Sequence, residues 1–296
     1  MRTALQRLAS FWLAATAPFC VSPMVAGAAD TVESQSFAAQ LAREDDHAGA
    51  ALEFRRLAAA AVDPAARGGY DWATAHEYWK AGQLALTDKM LDRTAQDVPE
   101  LVDETILLRG EAAAADHRWD EADFFFDSLA RSQTPADMRR YAARRSAVAK
   151  LNLGNPPGAR DALGLAPVPE DQALAALSGY EHGRDKRPLV GGLLGAVPGL
   201  GYAYAGEYAN AVRSLLLNGL FIFGMVATAD DEQWGGFAVI SFFELTWYSG
   251  SIYGGIDASH RYNRERLDEC ATEVMGAARF APDYTKLPLI SLNFRF

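Results

Sequence analysis

Histidine is the residue type of this chain with the widest capacity for metal or acid–base chemistry. The sequence contains five: His47, His76, His117, His182 and His260. A zinc-protease helix carries His-Glu-x-x-His, which places two imidazoles one turn apart on one face. The chain has His76-Glu77, but Lys80 stands where the second histidine is required. The sequence therefore predicts no metal site.

Motifs for nucleophilic catalysis and phosphate binding also fail to match. The sequence has no Gly-x-Ser-x-Gly elbow, which would expose a catalytic serine. The glycines of residues 199–206 have neither dinucleotide-binding spacing nor the lysine that follows the last glycine of a phosphate-binding loop. Clustered carboxylates such as residues 44–46 are typical of solvated helix faces and turns. We therefore predict a protein that is not an enzyme and takes no cofactor.

Two charged residues, Arg213 and Glu244, lie inside long apolar segments. Charges within a membrane are costly and are usually paired or functional. If the chain turns back near Asp231, Arg213 lies 18 residues before the turn and Glu244 lies 13 after it. The difference in depth is roughly 7 to 8 Å at 1.5 Å per residue. This predicts an Arg213–Glu244 pair; the alternative is that Arg213 reaches the membrane surface alone.

Both charges belong to residues 188–256, a block that is rich in apolar residues and glycine. A helix of about 20 apolar residues spans a bilayer core. Residues 209–229 and 235–256 each reach that length with one ionisable residue apiece. The sequence predicts a Gly-rich helical membrane module over 188–256, with membrane lipid as a contact.

Small residues recur at helical spacing within this block. The positions are Gly191, Gly195, Gly199, Ala203, Gly250 and Gly254. Lipid provides little hydrophobic drive between helices, so close packing on small residues is a main source of helix association in membranes. These rows of small residues predict packing partners within the chain or in a homo-oligomer. The alternative is a Gly-rich helix or loop without a special partner.

The first 28 residues have the pattern of a secretory signal peptide. Two arginines precede an apolar stretch at residues 8–21, and small residues at 26–28 fit a cleavage site. The alternative, a permanent first membrane helix, is weaker because the apolar stretch is short and contains Pro18. Export predicts a periplasmic N-terminal domain. Cleavage would leave Cys270 as the single cysteine, which excludes an internal disulfide.

Three arginines after the last apolar segment complicate the orientation. Arg261, Arg264 and Arg266 should face the cytoplasm by the positive-inside rule, whereas export places the array in the periplasm. Three crossings satisfy both expectations if residues 188–206 also span the membrane. The alternative is a re-entrant or interfacial segment followed by one hairpin, which leaves the arginines in the periplasm. The sequence favours three crossings of the inner membrane, with outer-membrane association as the alternative location.

Charge disfavours a nucleic-acid partner. The full chain has a formal net charge of −10, and loss of Arg2 and Arg7 leaves 26 basic and 38 acidic side chains, 26 − 38 = −12. Phosphate binding requires a basic surface instead.

Residues 36–169 have helix-forming composition and an internal period. Two sets of equivalent positions fall 36 residues apart: Ala50, Leu86 and Ala122, and Phe54, Met90 and Phe126. The prolines Pro64, Pro99 and Pro135 follow the members of the second set by 9 or 10 positions. This period predicts stacked helix pairs. The alternative is an irregular helical bundle in which the spacing is accidental.

The copy at residues 107–135 resembles the tetratricopeptide repeat (TPR). The resemblance makes Gly110 and Ala122 the small residues of the paired helices, Phe126 the aromatic between them and Pro135 the terminator. A first copy matches through Ala50 and Phe54. All of these are core positions. TPR arrays imply a concave surface that holds an extended peptide or a helix of another protein.

A second resemblance lies at the start of the membrane block. Pro198, Gly199, Gly201, Tyr204 and Gly206 form a Pro-Gly-x-Gly-x-x-Tyr-x-Gly pattern before two apolar segments. The pattern is similar to that of the small two-transmembrane-helix hairpin family. This chain has an acidic turn where the better-known members have an aromatic-basic signature. The resemblance implies a membrane hairpin and names no chemistry.

The last ten residues alternate apolar side chains at Leu292, Phe294 and Phe296. The alternation is similar to the closing strand of outer-membrane barrels. One strand cannot form a barrel, so we predict an extended tail that docks on another element. It could instead add to the sheet edge of a partner.

Together these features predict an all-α protein: a TPR-like helix-pair array, a transmembrane helical hairpin module and a short C-terminal extended tail. The segments are 1–28, signal peptide; 30–180, periplasmic TPR-like domain; 188–256, membrane module; and 257–296, amphipathic helix and tail. The predicted function is a membrane-anchored scaffold or adaptor of the bacterial envelope that binds a protein or peptide. The alternative is a component of a transport or lipid-handling complex, with Glu244 and the glycine-rich helices lining a path.

Overall fold

Short helices joined by tight turns form the first part of the protein in the computed structural model, which describes residues 28–286 and 290–296. Consecutive helices pack as four pairs. The pairs are α1 (Ala28–Arg43) with α2 (His47–Ala60), α3 (Pro64–Lys80) with α4 (Leu84–Asp97), α5 (Val102–Ala115) with α6 (Trp119–Arg131), and α7 (Ala136–Asn152) with α8 (Pro156–Leu163). A 3₁₀ turn, Pro99–Leu101, joins α4 to α5. Residues 1–27 of the predicted signal peptide lie outside the described residues.

Local chemistry sets the boundaries of these helices. Asp46, Asp63 and Asn155 cap α2, α3 and α8 by accepting a backbone N–H three residues ahead, at 2.9, 2.9 and 3.0 Å. The caps satisfy amides that have no partner inside the helix. Gly82 and Gly154 close the turns after α3 and α7 with φ of 72° and 71°. Glycine suits these positions because it has no Cβ to clash.

The helix pairs share one apolar core, and a second core links them to the following helices. The first core contains large side chains that are completely buried: Phe54, Trp72, Leu91, Leu107 and Phe126. The second is formed by α7, α8, α9 (Asp171–His182) and the end of the last helix, including Cys270 and Val274. The N-terminal array and the C-terminal helix are therefore packed together.

Four further helices follow: α10 (Pro188–Gly195), α11 (Leu200–Tyr204), α12 (Tyr208–Asp230) and α13 (Trp234–Met275). Helix α13 has 42 residues, a length of about 63 Å at 1.5 Å per residue. It packs along α10, α11 and α12, and also against α7 and α9. One continuous helix thus crosses the boundary predicted at residue 256 and joins the apolar block to the array.

Apolar side chains of α12 and the first half of α13 point outward. Leu216, Leu220, Phe223, Phe242 and Leu245 are each more than 60% exposed, at 66, 64, 70, 68 and 69%. Apolar surface of this kind marks a membrane or partner contact. Helix α12 is the one described helix whose length and mean hydropathy suffice to cross a membrane. The transmembrane hairpin of α12 and α13 therefore stays a prediction.

Residues 188–206, favoured above as a third crossing, do not form one continuous helix. Helices α10 and α11 contain 8 and 5 residues, whereas a spanning helix needs about 20. The chain breaks between them at Pro198 and Gly199, where Gly199 has φ of 88°. A left-handed residue ends an α-helix. The two short helices fit the re-entrant alternative.

The fold is mainly helical, with thirteen α-helices among the described residues, but its C-terminus is a β-hairpin. Strand β1 (Arg279–Asp283) pairs antiparallel with β2 (Ser291–Arg295), and Phe280 lies opposite Phe294. A 3₁₀ turn, Tyr284–Lys286, follows β1. The extended tail predicted from the alternating residues therefore has a strand partner within the chain, which the sequence interpretation missed.

Candidate functional site

Most of the residues singled out by the repeat period are buried in the array, but Leu86, the middle member of the first set, is 38% exposed. The completely buried members are Ala50, Phe54, Ala122 and Phe126. A Cβ added to Gly110 on α5 would lie 2.7 Å from the Phe126 ring, well inside ordinary van der Waals contact. Glycine therefore lets the ring pack directly against the α5 backbone. Pro135 immediately precedes α7 in an extended conformation.

The C-terminal hairpin lies against one face of the helix pairs. This inner face, as we define it, is formed by α1, α3 and α7, the first helices of the first, second and fourth pairs. On α1, Gln35 Nε2 donates to the carbonyl oxygen of Tyr284 at 2.6 Å. Helices α3 and α7 contact the hairpin through Trp79 and Tyr141. The hairpin thus covers the first helices of three of the four pairs, and its Tyr284 ring also lies 4.7 Å from the Phe54 ring of α2.

Aromatic contacts attach the two strands to the inner face. The Trp79 and Phe280 rings stack with centroids 5.8 Å apart at an interplanar angle of 12°. Tyr141 contacts both Phe280 and Phe294, each at 5.6 Å. Phe280 is 9% exposed. Offset and edge-to-face pairs of this kind add to the stabilisation from apolar burial.

A buried carboxylate, Glu77 on α3, holds the turn that follows β1. Its Oε2 lies 2.7 Å from His47 Nδ1, and its Oε1 lies 2.8 Å from His76 Nδ1. The Tyr284 hydroxyl donates to Oε1 and lies 2.9 Å from His76 Nδ1. Burial alone raises the pKa of Glu77, but hydrogen bonds from His76, Tyr284 and His47 outweigh it and hold the pKa below its ordinary value.

Burial also shifts the pKa values of two partners of Glu77, Tyr284 and His76. It raises the pKa of Tyr284 well above 10, an effect that the Glu77 charge reinforces. It lowers the pKa of His76 in spite of the neighbouring carboxylate. In this group, His76 Nε2 is the one buried polar atom without a hydrogen-bond partner. The arrangement has the chemistry of an anchor, in which a neutral phenol donates to an ionised carboxylate.

A cavity of about 550 Å³ adjoins this anchor and is lined by residues of α1, α3 and the hairpin, including Lys80 and Asp283. Among the residues that the structure describes, no group of three or more His, Cys, Asp or Glu side chains is arranged to hold a metal ion. By its lining, the cavity lies at the margin of the inner face.

Two arginines of α7 form the other end of the inner face. Both Arg140 and Arg144 pair with the buried carboxylate of Glu170. The Arg140 guanidinium also lies 4.2 Å from the centroid of the Phe296 ring. Arg144 donates to the carbonyl oxygen of Met275 at 2.7 Å. This cluster joins the array, the end of α13 and the last residue of the chain.

Glycines bring α10 and α11 into backbone contact with α13. An added Cβ would lie 2.3 Å from the Gly255 oxygen at Gly191, 2.6 Å from the Ser251 oxygen at Gly195, and 1.9 Å from the Tyr202 hydroxyl at Gly254. A Cβ at Gly250 would meet nothing within 4 Å. The close contact on α13 therefore involves Gly254 and Gly255, while Gly250 faces open space.

The residues of the Pro-Gly-x-Gly-x-x-Tyr-x-Gly pattern build the turns of this contact. After Pro198, Gly199 has φ of 88°, and its added Cβ would lie 2.4 Å from the Ala211 oxygen. Gly206 has φ of 87° at the turn into α12. A Cβ on Gly201 would lie 2.5 Å from a backbone oxygen of α10. The Tyr204 hydroxyl accepts the backbone N–H that precedes α10, at 3.1 Å.

The structure does not bring Arg213 and Glu244 together. Arg213 Nη1 donates to Asn210 Oδ1 at 3.4 Å on the surface of α12. Glu244 is 8% exposed, and its Oε2 has no hydrogen-bond partner. Asn218 Oδ1 on α12 and Ser241 Oγ on α13 are also buried without partners. The predicted ion pair is thus not formed among the described residues.

Sequence reasoning missed the anchor of the hairpin. His76-Glu77 drew attention only as an incomplete zinc motif, and Tyr284 is 207 residues away from Glu77. A polar pair inside an apolar helix such as α3 is a usable signal, because buried polar groups are normally hydrogen-bonded. That signal does not identify the partner.

Comparisons with protein-family models, with curated proteins and with solved structures find no match to this chain.

Proposed function

We propose that this chain is a non-catalytic scaffold of the bacterial cell envelope that binds an extended protein or peptide segment through its inner face. One observation carries the proposal: the inner face already holds an extended segment, the chain's own hairpin. Trp79 and Tyr141 bind its rings, and Glu77 binds its hydroxyl. A surface with these groups has the chemistry to bind another segment of the same kind. The stacked helix pairs support a TPR-like array.

The apolar module would anchor this scaffold. Exposed apolar side chains on α12 and α13 would face lipid, and the continuous α13 would hold the array at a fixed position next to the membrane. The N-terminal export pattern favours an inner-membrane protein with a periplasmic array; outer-membrane association is the alternative. Arg261 lies on the array side and pairs with Glu207 and Asp257. With a single hairpin, Arg261 would lie in the periplasm together with the array, against the positive-inside rule.

Photo-crosslinking in cells tests the proposal. A photoreactive amino acid replaces Lys80, an exposed residue beside Trp79 that lines the inner-face cavity. The matched control replaces Phe124, which is 70% exposed on α6. The proposal predicts a defined adduct with another protein from position 80 and not from position 124. Adducts confined to the chain itself, or equal adducts from both positions, would refute binding at the inner face.

A second candidate function is a component of a transport or lipid-handling complex. The observation that favours it is three buried side-chain oxygens without a hydrogen-bond partner, on Asn218 of α12 and on Ser241 and Glu244 of α13. Such groups are costly in a membrane and often mark a path for a substrate or ion. Replacement of Glu244 by Gln separates the two functions. A scaffold would keep its crosslinked partner and its cellular activity, whereas a path through the module would lose transport.

A further inference from the structure

We propose that the C-terminal hairpin is a displaceable occupant of the inner face, and that the partner is an extended segment with aromatic side chains at alternate positions. This inference rests on the proposed function and deepens it by giving the chemistry of the partner. Four observations support it: the pattern of the contacts, their chemistry, the attachment of the hairpin and its limited intrinsic stability.

The hairpin contacts the array through alternate residues, as a bound strand does. The side chains that pack on the core of the array are those of Ala278, Phe280, Tyr284, Ile290, Leu292, Phe294 and Phe296. All have even numbers. Successive side chains of a strand point to opposite faces, and the odd-numbered Arg279 and Arg295 are exposed, while Asp283 borders the cavity. The face formed by the even-numbered residues is therefore the one that packs on the core of the array.

Recognition depends on side chains more than on the backbone of the hairpin. Trp79 and Tyr141 contact phenylalanine rings, and the Arg140 guanidinium covers the ring of Phe296. Glu77 adds one polar contact, because it accepts a hydrogen bond from the hydroxyl of Tyr284. A competing segment would need aromatic rings at alternate positions. A phenol that reaches Glu77 would strengthen its binding.

A short connection, residues 276–278, joins α13 to β1. Residues 276 and 277 are exposed, and Gly276 has φ of 56°. A two-stranded hairpin alone is at best marginally stable in water, so the order of β1 and β2 depends on the inner face. The short connection gives the hairpin an effective concentration on the order of millimolar at that face. A partner must overcome this concentration to bind, so the hairpin would act as an internal competitor.

Cleavage of the connection in the folded full chain tests the inference. A protease site is inserted after Gly276, and the purified protein is cut in mild detergent. A fluorescent peptide with the sequence of residues 278–296 is then added to cut and uncut protein. We expect the labelled peptide to exchange into the cut protein and to bind the uncut protein about tenfold more weakly or worse. A control peptide with Phe280→Ala and Phe294→Ala should lose about tenfold or more in affinity for the cut protein.

Three results would overturn the inference. The cut hairpin could stay bound against excess peptide, or its release could abolish cooperative unfolding of the helices. Either result would make the hairpin a permanent part of the core. Transfer of labelled hairpins between intact chains, with formation of a dimer, would instead identify a second copy as the occupant. If the labelled peptide exchanges but position 80 gives no crosslinked adduct in cells, the proposed function is refuted and this inference stands. If position 80 gives an adduct but the peptide does not exchange, this inference is refuted and the proposed function stands.

Discussion

Replacement of Gly255 by alanine is the most direct test of the packing between α10, α11 and α13. The added Cβ would lie 2.3 Å from the Gly191 oxygen and 2.9 Å from the Gly201 Cα. Nonbonded carbon atoms normally approach to about 3.5 Å, so the helices must separate by roughly 1 Å. Overpacking of this kind costs about 1–3 kcal/mol. The better helix propensity of alanine offsets about 0.5–1 kcal/mol of that cost.

Gly250→Ala is the matched control because it lies on the same helix and its Cβ would meet nothing within 4 Å. In Gly250→Ala only the helix propensity of the residue changes, and we expect the free energy of unfolding to rise by up to about 1 kcal/mol. The two variants should therefore differ by about 1–3 kcal/mol in the free energy of unfolding. Gly191→Ala should resemble Gly255→Ala. The double variant Gly191→Ala/Gly255→Ala should lose less stability than the sum of the two single losses. The helix separation that one added Cβ forces also makes room for the other.

The assay is denaturant unfolding of the full chain in mild detergent, followed by circular dichroism at a helix wavelength. The reasoning predicts a lower midpoint for Gly255→Ala and an unchanged or higher midpoint for Gly250→Ala. Equal midpoints for the two variants would show that α10 and α11 do not press on α13 as described. The glycines would then have no packing role there.

Four further predictions concern the array and the hairpin. Gly110→Ala should lower the free energy of unfolding by about 1–3 kcal/mol, because its Cβ would lie 2.7 Å from the Phe126 ring; an unchanged melting temperature would contradict the packing of that helix pair. Tyr284→Phe removes a hydroxyl donor from a buried carboxylate and should reduce the protection of hairpin amides from hydrogen exchange by about 1–3 kcal/mol. The pKa of Glu77 lies below its ordinary value of 4.5, so the stability that its ionised form contributes is fully present above pH 4.5 and is lost as the pH falls further; hairpin protection that is unchanged down to pH 3 would contradict this. Burial raises the pKa of Cys270 to about 11, so a maleimide at neutral pH should label the folded protein at least about tenfold more slowly than the unfolded chain.

The helix pairs are the part of the fold that local sequence signals predict best. Ala50, Phe54, Ala122 and Phe126 repeat at one spacing because each occupies the same position between paired helices, and each is completely buried. Helix starts are equally local, since caps such as Asp63 bond to an amide three residues ahead. Position-specific chemistry of this kind can be read without knowledge of the rest of the chain.

Long-range contacts explain what the sequence could not predict. The hairpin is held by Glu77 and Tyr284, which are 207 residues apart, and no local pattern connects them. The sequence of β1 contains Pro282 and does not alternate clearly between apolar and polar residues. The composition changes at residue 256, yet α13 continues without interruption. The spacing of Gly250 and Gly254 predicted that both lie on one packing face. In the structure Gly255, not Gly250, contacts Gly191 of α10.

The account depends most on α12 and α13 spanning a membrane as a hairpin, with the array on one side. Introduced cysteines test this directly: Asp231→Cys in the turn between the two helices and Asp92→Cys on α4, both exposed, against the slowly reacting Cys270. Inner-membrane vesicles and intact spheroplasts are treated with a membrane-impermeant thiol reagent. The account predicts labelling of position 92 in spheroplasts and of position 231 only when the opposite side is exposed. Labelling of both positions from the same side, or recovery of the protein in the soluble fraction, would contradict it.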